Sequence, residues 1–88
     1  MKTIKVFYNK TLNMTEGKKA AQCCHAVAGL VAKVGYDSEC RIVILEKRVG
    51  QFNSIYESLE EPKYMQVDLG LNEVDAGTRT AFAYVVPE

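Results

Sequence analysis

The spacing of apolar and polar residues changes repeatedly along this 88-residue chain, and each change marks a predicted element. Thr3–Tyr8 (TIKVFY) alternates weakly and is rich in β-formers, which predicts a strand. Asn9–Thr15 is polar and turn-prone. From Gly17 to about Val34 the chain is alanine-rich and free of proline, which predicts a helix, with Gly35 suited to a left-handed cap. Cys40–Leu45 (CRIVIL) reads as a second strand, apolar enough to be expected in the middle of a sheet. Val49, Phe52, Ile55, Tyr56 and Leu59 have the spacing of an amphipathic helix, which Pro62 stops. Lys63–Leu69 predicts a third strand ending near Asp68. Gly70–Arg79 is a loop with a turn at Asp75-Ala76-Gly77, and Thr80–Val86 predicts a fourth strand.

The order β-α-β-α-β-β describes one α/β domain over residues 1–88. Each helix between strands implies a right-handed crossover and parallel pairing. The last two strands are joined without a helix and are expected to be antiparallel. The result is a small mixed sheet flanked by helices.

The first helix is apolar almost all round, so burial on more than one side is expected. Against that background Lys18, Gln22 and His25 stand at i, i+4 and i+7, one above another on a single face, and Gly29 continues the line. A solvated face explains such a stripe. So does a binding surface, because a glycine permits close approach by a ligand or another chain. Lys18 also sits in the first turn, where free N–H groups and the helix dipole already favour an anion. A second polar cluster, Asp68, Asn72, Glu73 and Asp75, lies at a strand end and in the loop after it, where α/β sheets tend to bind ligands. Asp68 reads equally as a loop-capping aspartate.

Charge narrows the choice of partner. Eleven basic residues balance eleven acidic ones, so a nucleic acid must be met by a local basic cluster rather than by bulk charge. The same balance argues against adsorption to an acidic membrane. No apolar run approaches the ~20 residues of a membrane span, and the N-terminus lacks a signal-peptide core, so a cytoplasmic protein is expected. The three cysteines and single histidine lack zinc-site spacing, so no metal is expected, and the thiols are expected to be reduced and mostly buried. A domain this small has a thin stability margin, which leaves self-association as a homodimer open.

Met14-x-x-Gly17-Lys18-x-Ala20-Ala21-Gln22-x-x-His25-Ala26 resembles the M-x-x-G-K-x-A-A-Q-x-x-H-A motif of the archaeal and eukaryotic type of peptidyl-tRNA hydrolase, family two. Asp68-x-Gly70 followed by Gly77-Thr78-x-Thr80 is similar to that family's D-A-G-x-T-Q-x-x-x-G-x-x-T segment. The resemblance spans Thr3 to Pro87. It implies a three-layer α/β/α fold with a four-stranded mixed sheet, the last strand antiparallel. It also implies hydrolysis of the ester between a peptide and the 3′ end of tRNA, with no cofactor. Carried over residue by residue, it makes Lys18 and Asp68 the catalytic candidates. Gly17, Gln22, His25, Asn72 and Thr80 become the substrate-binding ones.

Ester hydrolysis needs an activated water and a stabilised oxyanion. Asp68 is the candidate for the first task and Lys18 for the second, while His25 is expected to position rather than catalyse. The chain departs from the family pattern in four places. Glu16 stands where a basic residue is common, Leu69 replaces the alanine of D-A-G, and Asn72-Glu73 replaces T-Q. It also stops at Glu88, without the terminal helix usual in full-length members. Three readings therefore compete: a trimmed hydrolase, a non-catalytic relative that binds RNA or a small anion, and a protein-interaction domain.

Overall fold

The computed structural model describes residues 2–70 and 77–87. Strand β1 (Thr3–Asn9) leads through helix α1 (Glu16–Val34) to strand β2 (Arg41–Lys47). Helix α2 (Val49–Ser58) then leads to strands β3 (Lys63–Val67) and β4 (Arg79–Val85). The expected order is the observed one.

Local chemistry explains the helix ends. The Thr15 hydroxyl accepts the Lys18 N–H at 3.3 Å, capping the first turn of α1. At the other end Gly35 adopts φ 83° and ψ 162°, a region essentially reserved for glycine. Its N–H closes on the Val31 carbonyl at 2.7 Å. The cap thus has the positive φ expected of it, with an extended ψ in place of the left-handed one. Helix α2 ends at Ser58, ahead of Pro62. The Lys63 ammonium donates to the Tyr56 carbonyl at 2.9 Å and lies 4.2 Å from the Tyr56 ring centre. A cation so placed complements the negative end of the helix.

The sheet has the order β2-β1-β4-β3. β1 and β2 are parallel, and β4 is antiparallel to both of its neighbours. β3 therefore runs in the same direction as β1 and β2, as its crossover through α2 requires. It does not pair with them, because β4 lies between. One helix covers each face, which makes three layers. On the α1 face Ile4, Val6, Ala81 and Ala83 pack with Cys23, Ala26 and Leu30. On the α2 face Phe7 stacks on Phe82 at 5.2 Å, and Phe52 meets Phe82 edge-on at 4.9 Å, both favourable aromatic geometries.

Three sequence expectations are corrected. β2 lies at the edge of the sheet, not in its middle, and Ile42 and Ile44 remain about half exposed (46% and 54%). An apolar run shows that a strand is suited to being covered, not that anything covers it. Helix α1 is buried on one face only, through Gln22, Cys23, Ala26 and Leu30. Its outward alanines are small enough to stand in water at little cost, so their number did not report a second buried face. The thiols follow the helix: Cys23 is buried, Cys24 exposed and Cys40 half-buried.

Gly29 owes its place to packing. A Cβ there would collide with the ring of Tyr64 on β3, and Tyr64 is itself part of the α1-side core. The close approach that the sequence left open is made by this ring. Gly29→Ala is expected to destabilise the fold by about 1–3 kcal/mol, as overpacking does, despite the ~1 kcal/mol that alanine brings to a helix. Urea melts measure the change, and a Tyr64→Ala background, which clears the ring, should turn it into a gain.

Candidate active site

The polar stripe of α1 points at the end of the sheet where β3 stops and β4 begins. Lys18, in the first turn of α1, donates from Nζ to Oδ1 of Asp68 at 2.6 Å. Gln22, one turn further on, approaches the same oxygen through Nε2 at 3.5 Å. The Thr80 hydroxyl donates to Gln22 Oε1 at 2.5 Å. Four residues distant in sequence thus form one hydrogen-bonded chain, Lys18–Asp68–Gln22–Thr80.

The direction of this chain follows from chemistry. An ionised carboxylate only accepts, so the Gln22 amide must turn its NH2 toward Asp68. That leaves Oε1 facing Thr80, which must donate. Asp68, Gln22 and Thr80 are all buried, at 4%, 5% and 0% exposure, so their polar atoms have little recourse to water. Buried polar groups need such partners.

Thr80 reaches Gln22 because the sheet is irregular at this point. Gln66 pairs with Ala81 but Val67 pairs with Arg79, and the register shifts between them. Thr80 is the extra residue of a β-bulge. In a regular strand Thr80 and Ala81 would face opposite sides. The bulge lets Ala81 join the α1-side core while Thr80 meets Gln22 on the same helix. Bulges re-aim side chains in this way and are common beside functional sites.

Asp68 also holds the loop that follows it. Its Oδ2 accepts the Gly70 N–H at 2.6 Å. Its backbone N–H donates to the Thr78 carbonyl at 2.9 Å, and its carbonyl accepts the Gly77 N–H at 2.8 Å. The loop-capping and site readings of Asp68 therefore describe one residue in both roles. The Lys18 ammonium, and next the Gly70 N–H, hold its carboxyl below the usual 3.8, against the opposing pull of desolvation. Asp68 is thus a charged group at neutral pH.

The other candidates lie around this centre. Gly17 is exposed at the open end of α1, with nothing within 4 Å of where a Cβ would stand. His25 is on the same helix one turn beyond Gln22, exposed to solvent. Asn72 and Glu73 lie outside the described residues. Glu16, the substitution expected to weaken the positive charge, pairs with Lys19 at 2.9 Å and leaves Lys18 to Asp68.

Asn9 was not singled out from the sequence. It is buried at the end of β1, accepts the Thr11 N–H through Oδ1 at 3.1 Å, and donates to the Arg79 carbonyl at 3.4 Å. It ties the loop before α1 to the residue preceding Thr80. The only trace of this in the sequence is the turn habit of asparagine at a strand end. Among the described residues no three His, Cys, Asp or Glu side chains gather as a metal site. No helix is long and apolar enough to cross a membrane.

Thr80→Val keeps the shape of the side chain and leaves Gln22 Oε1 without its donor. A loss of about 1–3 kcal/mol is expected, the range for a buried polar atom stripped of its partner, read from denaturant melts. The Asp68 ion pair makes stability depend on pH in a stated direction. With the folded value depressed, its contribution is complete above the ordinary value of 3.8 and is lost as pH falls through the lower folded value. Melting temperatures recorded down the acid limb should therefore fall more steeply for the wild type than for Asp68→Asn.

A family model described as peptidyl-tRNA hydrolase PTH2 matches residues 3–87, nearly the whole chain. No curated protein matches it. The matched span contains the complete sheet, both helices and all four members of the Lys18–Asp68–Gln22–Thr80 chain. The chain belongs to the peptidyl-tRNA hydrolase PTH2 family.

Proposed function

We propose that this protein hydrolyses the ester joining a peptide, or an N-blocked amino acid, to the 3′ end of tRNA, with Lys18 and Asp68 as the catalytic pair. The observation that carries this reading is the convergence of Lys18, Gln22, Asp68 and Thr80 in one hydrogen-bonded chain beside the open first turn of α1.

The chemistry follows from the charges. Water adds to the ester carbonyl carbon, the carbonyl oxygen takes up negative charge, and the bond to the ribose oxygen then breaks. The proton released by the water ends on that ribose oxygen, giving a free peptide acid and a tRNA 3′ terminus. Lys18 stabilises the oxyanion. A fixed cation in a largely water-excluded site counts for far more than one in bulk solvent. Asp68, ionised and therefore a weak base, orients the attacking water and carries its proton transiently. Gln22, locked by Thr80, holds the unreacting side of the carboxylate.

Gly17 and His25 contact the substrate in this reading. With no side chain and open space around it, Gly17 lets the terminal nucleotide approach the N-terminus of α1, where phosphate is favoured. Asn72 is assigned to the same surface from the sequence alone. The reaction needs no cofactor, and its substrate places the protein in the cytoplasm.

Release of labelled N-acetyl-aminoacyl product from tRNA tests the reading. Wild type should turn over, and Lys18→Ala and Asp68→Asn should each lower kcat/KM by ~100-fold or more, the scale for losing one transition-state charge contact. Tight tRNA binding without release by the wild type would instead identify a non-catalytic relative. Active variants would move the chemistry away from this pair.

A further inference from the structure

We infer that the exposed edge of β2 is the surface through which two copies of this chain pair, joining their sheets into one. The small size of the chain left self-association open, and the structure gives it a location. β2 is a terminal strand of the sheet and pairs with β1 in an unbroken parallel register from Arg41 to Lys47. Its other edge has no partner strand among the described residues.

Strand edges left open in this way are normally blunted by proline, a bulge or a mid-strand charge. From Ile42 to Leu45 this edge has none of these, and Ile42, Ile44 and Leu45 are all exposed. Beside it runs an apolar groove of about 420 Å³ between α1 and β2, lined by Ala20, Cys24, Val27, Ala28, Ile42 and Ile44 among others.

Hydrogen bonding and charge select a second copy as the occupant. The Arg41 N–H donates to the Lys2 carbonyl, and the Lys47 carbonyl accepts from Lys10. The odd-numbered residues of β2 therefore turn their backbone groups toward β1, and Ile42, Ile44 and Glu46 turn theirs outward. In an antiparallel pair, outward-facing residues must meet outward-facing residues. A two-fold axis at Val43 satisfies this: Ile42 exchanges both backbone hydrogen bonds with Ile44 of the second copy, and Ile44 with its Ile42. Glu39 then falls opposite Lys47 at each end, and no like charges are opposed. A shift of the axis to Ile44 would set Arg41 against Lys47 and Ile42 against Glu46, which is unfavourable. The favoured register is self-complementary, as a closed two-fold interface requires. It also brings the four isoleucines together on the groove side.

Sedimentation equilibrium of the intact chain over a concentration series should give twice the 9.8 kDa chain mass. Ile44→Lys, at an exposed position, should give the monomer with an unchanged circular dichroism spectrum. The register has its own test. Val43→Cys, in a Cys24→Ser/Cys40→Ser background and oxidised with diamide, should form a covalent dimer linked through position 43. That position is a non-hydrogen-bonded pair, where Cα atoms approach to about 4.5 Å. A monomer at every concentration would overturn the inference. So would a dimer indifferent to Ile44→Lys with no linkage at position 43, or assembly that continues beyond two copies.

Discussion

Helix α1 lies on the sheet through residues with little or no side chain, and the polar chemistry above it depends on that close seating. Ala26 faces Ala81 and Ala83 in the α1-side core, all three fully buried, and Gly29 takes the ring of Tyr64 directly against the helix. Larger residues at these points would lift α1 from β4. Gln22 would then lose its reach to Thr80 and Lys18 its reach to Asp68. The site is thus set by the thinness of the layer beneath it, and stability and function draw on the same contacts.

The two faces of the sheet divide the work. The α2 face is filled by Phe7, Phe52 and Phe82, aromatic rings that bury much area in a small domain. The α1 face has less bulk to bury, and it carries the buried polar chain at one end. Within that chain each group fixes the next. Lys18 and the Gly70 N–H keep Asp68 ionised, the charge orients the Gln22 amide, and the amide demands a donor from Thr80. A buried network is sound only when every member is satisfied, and this one closes without remainder among the atoms that build it. It is also already assembled without substrate, so little reorganisation is needed before a reaction.

Much of this protein could be read from the chain alone. Element order followed from the switch between strand and helix spacing, since both periodicities are local properties. The start of α1 followed from Thr15 and the loop before it, and the stripe Lys18–Gln22–His25 followed from the geometry of the helix. The resemblance of two motifs then joined Lys18 to Asp68, residues fifty positions apart that no periodicity could connect.

What the chain alone did not decide has one common cause: it depends on which strands become neighbours. β2 is as apolar as a central strand, yet the insertion of β4 beside β1 left β2 at the edge. Helix α1 looked apolar all round, yet it meets a sheet on one face only. Thr80 reads as an ordinary β-former at the start of a strand. A register slip against β3 makes it the extra residue of a bulge and aims its hydroxyl at Gln22. Local spacing determines what each segment is able to pair with. Only long-range pairing, in which each strand must satisfy its backbone hydrogen bonds against a particular partner, determines which of those surfaces are covered and where the polar groups meet.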